Sequence, residues 1–343
     1  METRILISSH DQIESALRFC MSATPTNSAP EKIIIDCDPG HDDAIAIMLA
    51  LASPELEVLG ITATYGNVGL ENTTRNAMVM RELCLSNLPG GSSVPVFAGA
   101  SAPLVRDRIS AESVHGTNGL EGPDLPEPRA GLETMRAAEF IIQSVLEFPG
   151  QVTLAPVGPL TNVALAMRLE PSIVSKIKRI VLMGGSTDIG NWTPAAEFNI
   201  LCDPHAASIV FSSGAPLTMF GLNLTHQVLA TPERAERIRA LGTRVSHFTA
   251  ELLEFFKLAY QRRYDFAGPA LHDPCVIAYL IQPGLFKLKS MHVEIDCTDG
   301  PSFGRTVCDV WSVTGKPANC DVALEADAPG FFELLTSRLA RYS

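Results

Sequence analysis

The stretch KIIIDCDPGHDDAIAIMLALA, residues 32–52, decides the fold. It opens with a short run rich in β-branched apolar residues, 32–36, which is typical of a buried strand. The turn-forming pair Pro39 and Gly40 follows, and residues 44–52 are apolar on every side, which predicts a helix buried around most of its circumference. A buried strand that leads through a short turn into a buried helix is the beginning of a βαβ unit.

The alternation of strand and helix patterns continues along the chain. Further strands are predicted at 57–64, 94–97, 151–157, 179–185 and 216–222, and helices at 72–84, 132–148, from about 162, and at 204–211. Two long helical stretches, 232–241 and 244–263, are followed by strand-like segments near 291–297 and 303–312. This alternation predicts an α/β fold, a Rossmann-like open, mostly parallel sheet with helices on both faces.

Two segments interrupt the periodic pattern. Residues 21–30 are rich in Pro, Ser and Thr, so residues 1–30 are predicted to form a flexible N-terminal extension before a single domain at 31–343. Residues 98–131 carry little periodicity, and a segment of this length without regular structure is often functional. It contains VHGTNG, 114–119, which puts the titratable His115 among glycines that we expect to be flexible.

Composition excludes several classes of protein. The chain has 343 residues and a formal net charge of −12, with no cluster of Lys and Arg, so no nucleic-acid partner is expected. No apolar run approaches the ~18 residues of a membrane span, so no membrane partner is expected either. The eight cysteines are scattered without a C-x-x-C pair, and no signal peptide is recognisable, which together predict a cytoplasmic protein with reduced thiols.

Four carboxylates fall within eight residues at the end of the first strand: Asp36, Asp38, Asp42 and Asp43. In open α/β sheets, ligands bind beyond the carboxyl ends of the strands. Asp42 or Asp43 could simply cap the following helix, but that does not explain Asp36 and Asp38, which point the same way if the strand runs that far. Carboxylates this close repel unless a cation or several hydrogen-bond donors compensate them, and oxygen ligands without Cys or His favour Ca²⁺ or Mg²⁺.

The motif D-C-D-P-G-x-D-D, residues 36–43, resembles the signature of the inosine–uridine-preferring nucleoside hydrolases. Three further stretches agree with that family in the expected order: VGPLTNVALA at 157–166, VLMGG at 181–185 with GNWTPAAEFN at 190–199, and HDPC at 272–275. The resemblance extends from about residue 32 to the C-terminus. The stretches GNWTPAAEFN, LEGPDLPEP at 120–128 and GKPAN at 315–319 are most similar to the pyrimidine-preferring bacterial branch.

The resemblance implies an enzyme that hydrolyses the N-glycosidic bond of ribonucleosides to ribose and free base, with uridine and cytidine favoured and inosine possible. It implies one Ca²⁺, with Asp38, Asp43, Asp273 and the backbone carbonyl of Val157 as ligands. Asp38 is also the expected general base for a metal-bound water, His272 the residue that assists the leaving base, and His115 a second catalytic histidine over the base. The remaining residues expected to bind substrate are Asp42, Asn67, Met183, Asn191, Glu197, Phe198, Asn199 and Tyr260.

Other interpretations stay open at this point. A strand followed by D-x-D also suggests a haloacid-dehalogenase-type phosphatase with Asp36 as nucleophile, although Gly40 stands where such enzymes usually carry Thr or Val. A catalytically silent nucleoside-binding protein would need the loss of a motif carboxylate, and none is missing. His41 lies inside the first motif at a variable position and receives no role, and the base contacts of Arg262, Arg263 and Tyr264 are not assigned. The family resemblance also implies a homodimer or homotetramer.

Overall fold

The computed structural model describes residues 29–90 and 93–343, without the side chains of Arg262 and Arg263. The predicted N-terminal extension, 1–30, therefore lies outside the described residues except for its last two positions. Glu31–Ser343 forms one unit with its own core. Among the described residues, no helix is both long and apolar enough to cross a bilayer.

The opening stretch folds as its pattern predicts. Strand β1 spans Glu31–Cys37, and helix α1 spans His41–Leu51. Side chains alternate across a strand, and here both sides are covered, because Ile33 and Ile35 pack into one core cluster and Ile34 into another. This burial on both faces explains why the strand is an unbroken apolar run.

The main sheet has eight strands in the order β3-β2-β1-β4-β5-β6-β10-β7. All neighbouring pairs are parallel except β10 with β7. The strands after β1 are β2 Leu56–Ala63, β3 Val96–Ala98, β4 Val152–Pro156, β5 Arg179–Met183, β6 Leu217–Phe220, β7 Phe286–Met291 and β10 Cys320–Ala326. A separate two-stranded antiparallel sheet pairs β8, Val293–Ile295, with β9, Thr306–Cys308. The mostly parallel α/β architecture is thus confirmed.

Helices cover both faces of the main sheet. After α1 they are α2 Leu70–Ser86, α3 Glu112–His115, α4 Ala137–Glu147, α5 Thr161–Leu169, α6 Phe198–Cys202, α7 Pro204–Phe211, α8 Leu222–Thr225, α9 Pro232–Arg239, α10 Arg244–Arg263, α11 Asp273–Ile281 and α12 Ala328–Leu339. Buried residues of α1, α11 and α12 belong to the core cluster that contains Ile33, whereas those of α4, α5 and α7 belong to the cluster that contains Ile34.

The structure differs from the sequence pattern in several places. The helix expected at 132–148 begins only at Ala137. The segments near 291–297 and 303–312 form strands, but these make the small second sheet, and the predictions did not include β7, β10 or the helices α6, α8, α11 and α12. The segment 98–131 contains the short helix α3, and His115 at its end is buried rather than mobile among glycines.

Candidate active site

A cavity of about 630 Å³ opens where the parallel strands end. The residues that follow β1, β2, β4 and β5 line it together with residues from α10 and α11, as expected at the carboxyl edge of such a sheet. Thirteen of the fourteen site residues predicted from the sequence line this cavity, and the fourteenth, Asp38, is hydrogen-bonded through its backbone N–H to the lining residue Asp43.

The turn between β1 and α1 is held by the carboxylate of Asp43. The backbone N–H of Gly40 donates to Asp43 Oδ2 at 2.9 Å, and that of Asp38 donates to Oδ1 at 3.2 Å. Gly40 is required here, because a Cβ at this position would lie 2.5 Å from His115 Nδ1 and 2.7 Å from Asn67 Nδ2. Asp43 therefore does cap the helix start, and the same bonds fix the carboxylate at the edge of the cavity.

Asp36 and Asp38 do not point to the same place, contrary to the expectation for a strand that runs through both. β1 ends at Cys37. Asp36 Oδ1 accepts hydrogen bonds from Thr62 Oγ1 at 2.6 Å and Asn162 Nδ2 at 2.8 Å, and Asp36 does not line the cavity. Asp38 Oδ2 accepts from the backbone N–H of Asn67 at 2.7 Å, while its Oδ1 is buried without a hydrogen-bond partner.

This placement removes Asp36 as a nucleophile. Its carboxylate ties β1 to β2 and to the start of α5, because both Thr62 and Asn162 donate to Oδ1. Burial raises its pKa to about 7, against the opposing effect of the hydrogen bonds from Asn162 and Thr62. The phosphatase interpretation, which needs an accessible Asp36, is therefore not supported by the geometry.

Three carboxylates form a potential metal site: Asp42, Asp43 and Asp273, with oxygen atoms within 4.8 Å of one another and all buried. The predicted ligand set had Asp38 in place of Asp42. Burial raises the pKa of Asp42 to about 7 and that of Asp43 to about 6. Burial, and then the charges of Asp42, Asp43 and Asp38, raise the pKa of Asp273 well above its ordinary value.

The donor set fits a hard divalent cation. It offers three buried carboxylates without thiol or imidazole ligands, and Val157, whose carbonyl accepts a hydrogen bond from Asn199, lines the same cavity. Burial, and next the charge of Asp43, raise the pKa of Asp38 well above its ordinary value, and its Oδ1 lacks a partner. A buried carboxylate oxygen with no donor is costly unless a cation or a bound ligand compensates it.

The polar wall opposite these carboxylates is built on the start of α6. Glu197 caps that helix, since its Oε1 accepts from the N–H of Asn199 at 2.8 Å and its Oε2 from that of Ile200 at 3.1 Å. Burial raises the pKa of Glu197 to about 6. Asn199 Nδ2 donates to the Val157 carbonyl at 2.9 Å, and Asn191 Oδ1 accepts from the Phe198 N–H at 2.9 Å. These bonds hold carboxylate and amide groups around one end of the cavity.

The other end of the cavity is aromatic. His272 Nδ1 lies 2.7 Å from Thr225 Oγ1, and its Nε2 is hydrogen-bonded to the hydroxyl of Tyr260. Burial, and then the neighbouring His226, lower the pKa of His272 to about 3. Tyr264 lines the cavity as well. Thr225 was not predicted from the sequence, because nothing in its surroundings marks a threonine 47 residues before His272 as its partner.

His115 joins this aromatic end through His41, which sequence analysis left without a role. Nδ1 of His41 lies 3.0 Å from Nδ1 of His115, and Nε2 of His41 lies 2.9 Å from the carbonyl oxygen of Glu121. The His41 ring stacks against Phe255 and Phe256. Burial lowers the pKa of His41 to about 4 and that of His115 well below its ordinary value. The position of His41 inside the first motif was the one signal that could have identified it.

The chain is similar to known proteins over almost its whole length. The family model described as inosine-uridine preferring nucleoside hydrolase matches residues 33–333. A pyrimidine-specific ribonucleoside hydrolase, RihA, of Escherichia coli (strain SMS-3-5 / SECEC) is 47% identical over 313 residues, which cover 91% of this chain and 99% of that protein. RihA of Shewanella oneidensis is 47% identical over 312 residues, covering 91% and 96%.

Solved structures agree with this match. A purine-preferring ribonucleoside hydrolase from Gardnerella vaginalis superposes with a TM-score of 0.84 at 37% identity, covering 90% of this chain and 98% of that one. A plant nucleoside hydrolase, PpNRh1, superposes with a TM-score of 0.83 at 34% identity, covering 91% and 99%. The chain therefore belongs to the inosine-uridine preferring nucleoside hydrolase family, and it is an enzyme that hydrolyses the N-glycosidic bond of ribonucleosides.

Proposed function

We propose that this enzyme is a Ca²⁺-dependent pyrimidine ribonucleoside hydrolase that prefers uridine and cytidine to inosine. The observation that carries the proposal is the group of buried carboxylates that line the cavity, with the unpartnered Asp38 Oδ1 beside them. The pyrimidine preference is supported by relatives 47% identical that are named pyrimidine-specific, against a purine-preferring relative at 37%.

The carboxylate and amide wall suits a ribose. Asp42 and Asn199 are proposed to hold the 2′- and 3′-hydroxyls with Asn67 nearby, and Asn191 and Glu197 the 5′-hydroxyl, because all five line the cavity. Met183 and Phe198 are proposed to contact the sugar face. Cleavage of a glycosidic bond builds positive charge on the sugar ring, and surrounding carboxylates stabilise that charge more than the neutral substrate.

Asp38, Asp43, Asp273 and the Val157 carbonyl are proposed to hold the Ca²⁺, with Asp42 directly adjacent. Ca²⁺ held by these residues would lower the pKa of a coordinated water. The surrounding protein fixes these groups through backbone N–H donors to Asp38 and Asp43, so the oxygens need little reorganisation on binding.

Asp38 is proposed as the general base. Its Oδ2 is fixed by the N–H of Asn67, while Oδ1 has no hydrogen-bond partner and can accept a proton from the attacking water. The water oxygen then bonds to the anomeric carbon as the N-glycosidic bond breaks. A base must first be within reach of its proton, and the proposal is supported by the hydrogen bonds of Asp38 to Asp43 and Asn67, which both line the cavity.

His272 and Tyr260 are proposed to deliver a proton to the departing base. Their side chains are hydrogen-bonded to each other and line the aromatic end of the cavity, where Thr225 fixes the other nitrogen of His272. The bonding electrons that leave with the base then form an N–H or O–H bond rather than remaining as an anion. His115 lies across the same end.

A substrate panel tests the proposal. Purified protein, stripped with a chelator and dialysed, is incubated with uridine, cytidine or inosine while released ribose is measured, with and without added Ca²⁺. We expect activity only after Ca²⁺ is restored, with uridine and cytidine cleaved faster than inosine. Full activity in the stripped protein would refute the metal dependence, and faster inosine cleavage would refute the base preference. Release of phosphate from uridine monophosphate with Mg²⁺ would instead favour the phosphatase alternative.

The homodimeric or homotetrameric state and the cytoplasmic location stay predictions.

A further inference from the structure

Two buried histidine rings meet at one side of the cavity. His41 starts α1 and His115 ends α3, and their Nδ1 atoms lie 3.0 Å apart. Two N–H groups cannot face each other at this distance, and neither can two lone pairs form a bond. The contact is therefore a hydrogen bond in which one of the two Nδ1 atoms carries the hydrogen.

The other nitrogen of His41 decides which ring is the donor. Nε2 of His41 lies 2.9 Å from the carbonyl oxygen of Glu121. A backbone carbonyl only accepts, so Nε2 of His41 carries a hydrogen. A neutral imidazole has one N–H, which leaves Nδ1 of His41 as an acceptor. His115 must then be the donor at its Nδ1.

One contact competes with this assignment. The backbone N–H of His41 lies 3.3 Å from His115 Nδ1 and could donate to it if that nitrogen were bare. His41 would then need hydrogens on both nitrogens, which makes it an imidazolium. That ring stacks against Phe255 and Phe256 and is fully buried, and a charge in such surroundings is strongly disfavoured. The shorter ring-to-ring bond is therefore the one that is compatible with a neutral His41.

The tautomer of His115 determines which of its nitrogens can accept a hydrogen bond in the cavity. With its hydrogen on Nδ1, neutral His115 has a bare Nε2. This nitrogen makes no hydrogen bond to any residue that the structure describes, and His115 lines the cavity beside Phe256 and Tyr260. We propose that His41 is a positioning residue that locks His115 in the Nδ1–H tautomer, so that His115 Nε2 accepts a hydrogen bond from an N–H of the substrate's base.

The chemistry of pyrimidines fits such an acceptor. Uracil carries an N–H at ring position 3, and cytosine carries an amino group on the neighbouring carbon, so both bases offer a donor on the same side. The identity of the bound base rests on the proposed function, whereas the tautomer of His115 does not. His115 thereby orients the base, and proton delivery stays with His272 and Tyr260.

Nitrogen NMR of histidine-labelled protein tests the tautomer without any turnover. The signals of His115 are assigned by their loss in His115→Phe. In the wild-type enzyme we expect His115 to have a protonated Nδ1 and an unprotonated Nε2. His41→Asn should show the same pattern, because the amide oxygen of Asn replaces Nδ1 of His41 as the acceptor. In His41→Phe, the hydrogen of His115 should shift toward Nε2. An unprotonated Nδ1 of His115 in the wild type would overturn the proposal, whether or not the protein cleaves nucleosides.

A double-mutant cycle tests how His41 acts. His41→Phe keeps an aromatic ring against Phe255 and Phe256 but removes both nitrogens, and we expect kcat/KM for uridine to fall about 10-fold, the scale of one hydrogen bond. His41→Asn should stay within about threefold of the wild type. In the His115→Phe background, His41→Phe should cause no further loss, because its effect passes through His115. Equal losses in both backgrounds, or no rescue by Asn in a variant with wild-type thermal stability, would assign His41 a purely structural role and refute the proposal.

Discussion

The two ends of the cavity are held in different ways. At the acidic end, the carboxylate of Asp43 is fixed by the backbone N–H groups of Asp38 and Gly40 in the same turn, and the carboxylate of Asp38 is fixed by the backbone N–H of Asn67 after β2. At the aromatic end, His272 is fixed by side chains of Thr225 and Tyr260, and His115 by the side chain of His41, 74 residues away. Backbone donors therefore set the positions of these carboxylates, whereas side-chain partners set those of the rings.

The largest expected effect is at the acidic end. Asp38→Asn keeps the size of the side chain but removes the proposed base, so kcat for uridine should fall by about 10³-fold or more. Ribose release measures the loss, and a melting temperature close to that of the wild type serves as the control for folding. A loss of less than tenfold would contradict the role given to Asp38 and remove the functional distinction between the two ends.

The aromatic end should matter only when the leaving group needs a proton. His272→Ala leaves its backbone N–H, which is 3.3 Å from Asp42 Oδ2, in place. We expect kcat for uridine to fall about 10²-fold, and hydrolysis of 4-nitrophenyl riboside, whose leaving group departs as a stable anion, to change by less than about threefold.

Comparing the two substrates in both variants separates the role of Asp38 from that of His272. Asp38→Asn should impair cleavage of uridine and of 4-nitrophenyl riboside alike, since both need the attacking water. If His272→Ala lost activity equally on both substrates, His272 would be acting on the sugar or the water rather than on the leaving base.

The smallest effect on catalysis is expected at Asp36, two residues before Asp38. Asp36→Asn places an amino group where Oδ2 is buried without a partner, so the free energy of unfolding should fall by about 1–3 kcal/mol. Urea unfolding measures this change, and kcat for uridine should stay within about threefold of the wild type. A catalytic loss as large as that of Asp38→Asn would show that both carboxylates take part in the reaction.

The sequence predicts the acidic end better than the aromatic end for a physical reason. A β-branched run, a Pro-Gly turn and an apolar helix are local signals, and they bring the motif carboxylates to one edge of the sheet whatever the rest of the chain does. The different positions of Asp36 and Asp38 do not follow from local signals. Asp36 is held in the interior by hydrogen bonds from Thr62 and Asn162, which are distant from it in sequence.

The part played by His41 is also non-local. Its partners Phe255 and Phe256 lie on α10, more than two hundred residues later, and Glu121 lies in a segment with no periodic pattern. No spacing rule connects these positions, so the motif could mark His41 as a neighbour of the site but could not assign its contacts.

Strand β10 has a consequence for synthesis of the enzyme. It lies between β6 and β7, although it is formed by residues 320–326, about a hundred residues after β6. While the ribosome is still translating those codons, the nascent chain exposes the unpaired hydrogen-bonding edge of β6, and such edges invite pairing with other chains. The strand order therefore leaves this edge of β6 unpaired until residues 320–326 have been made.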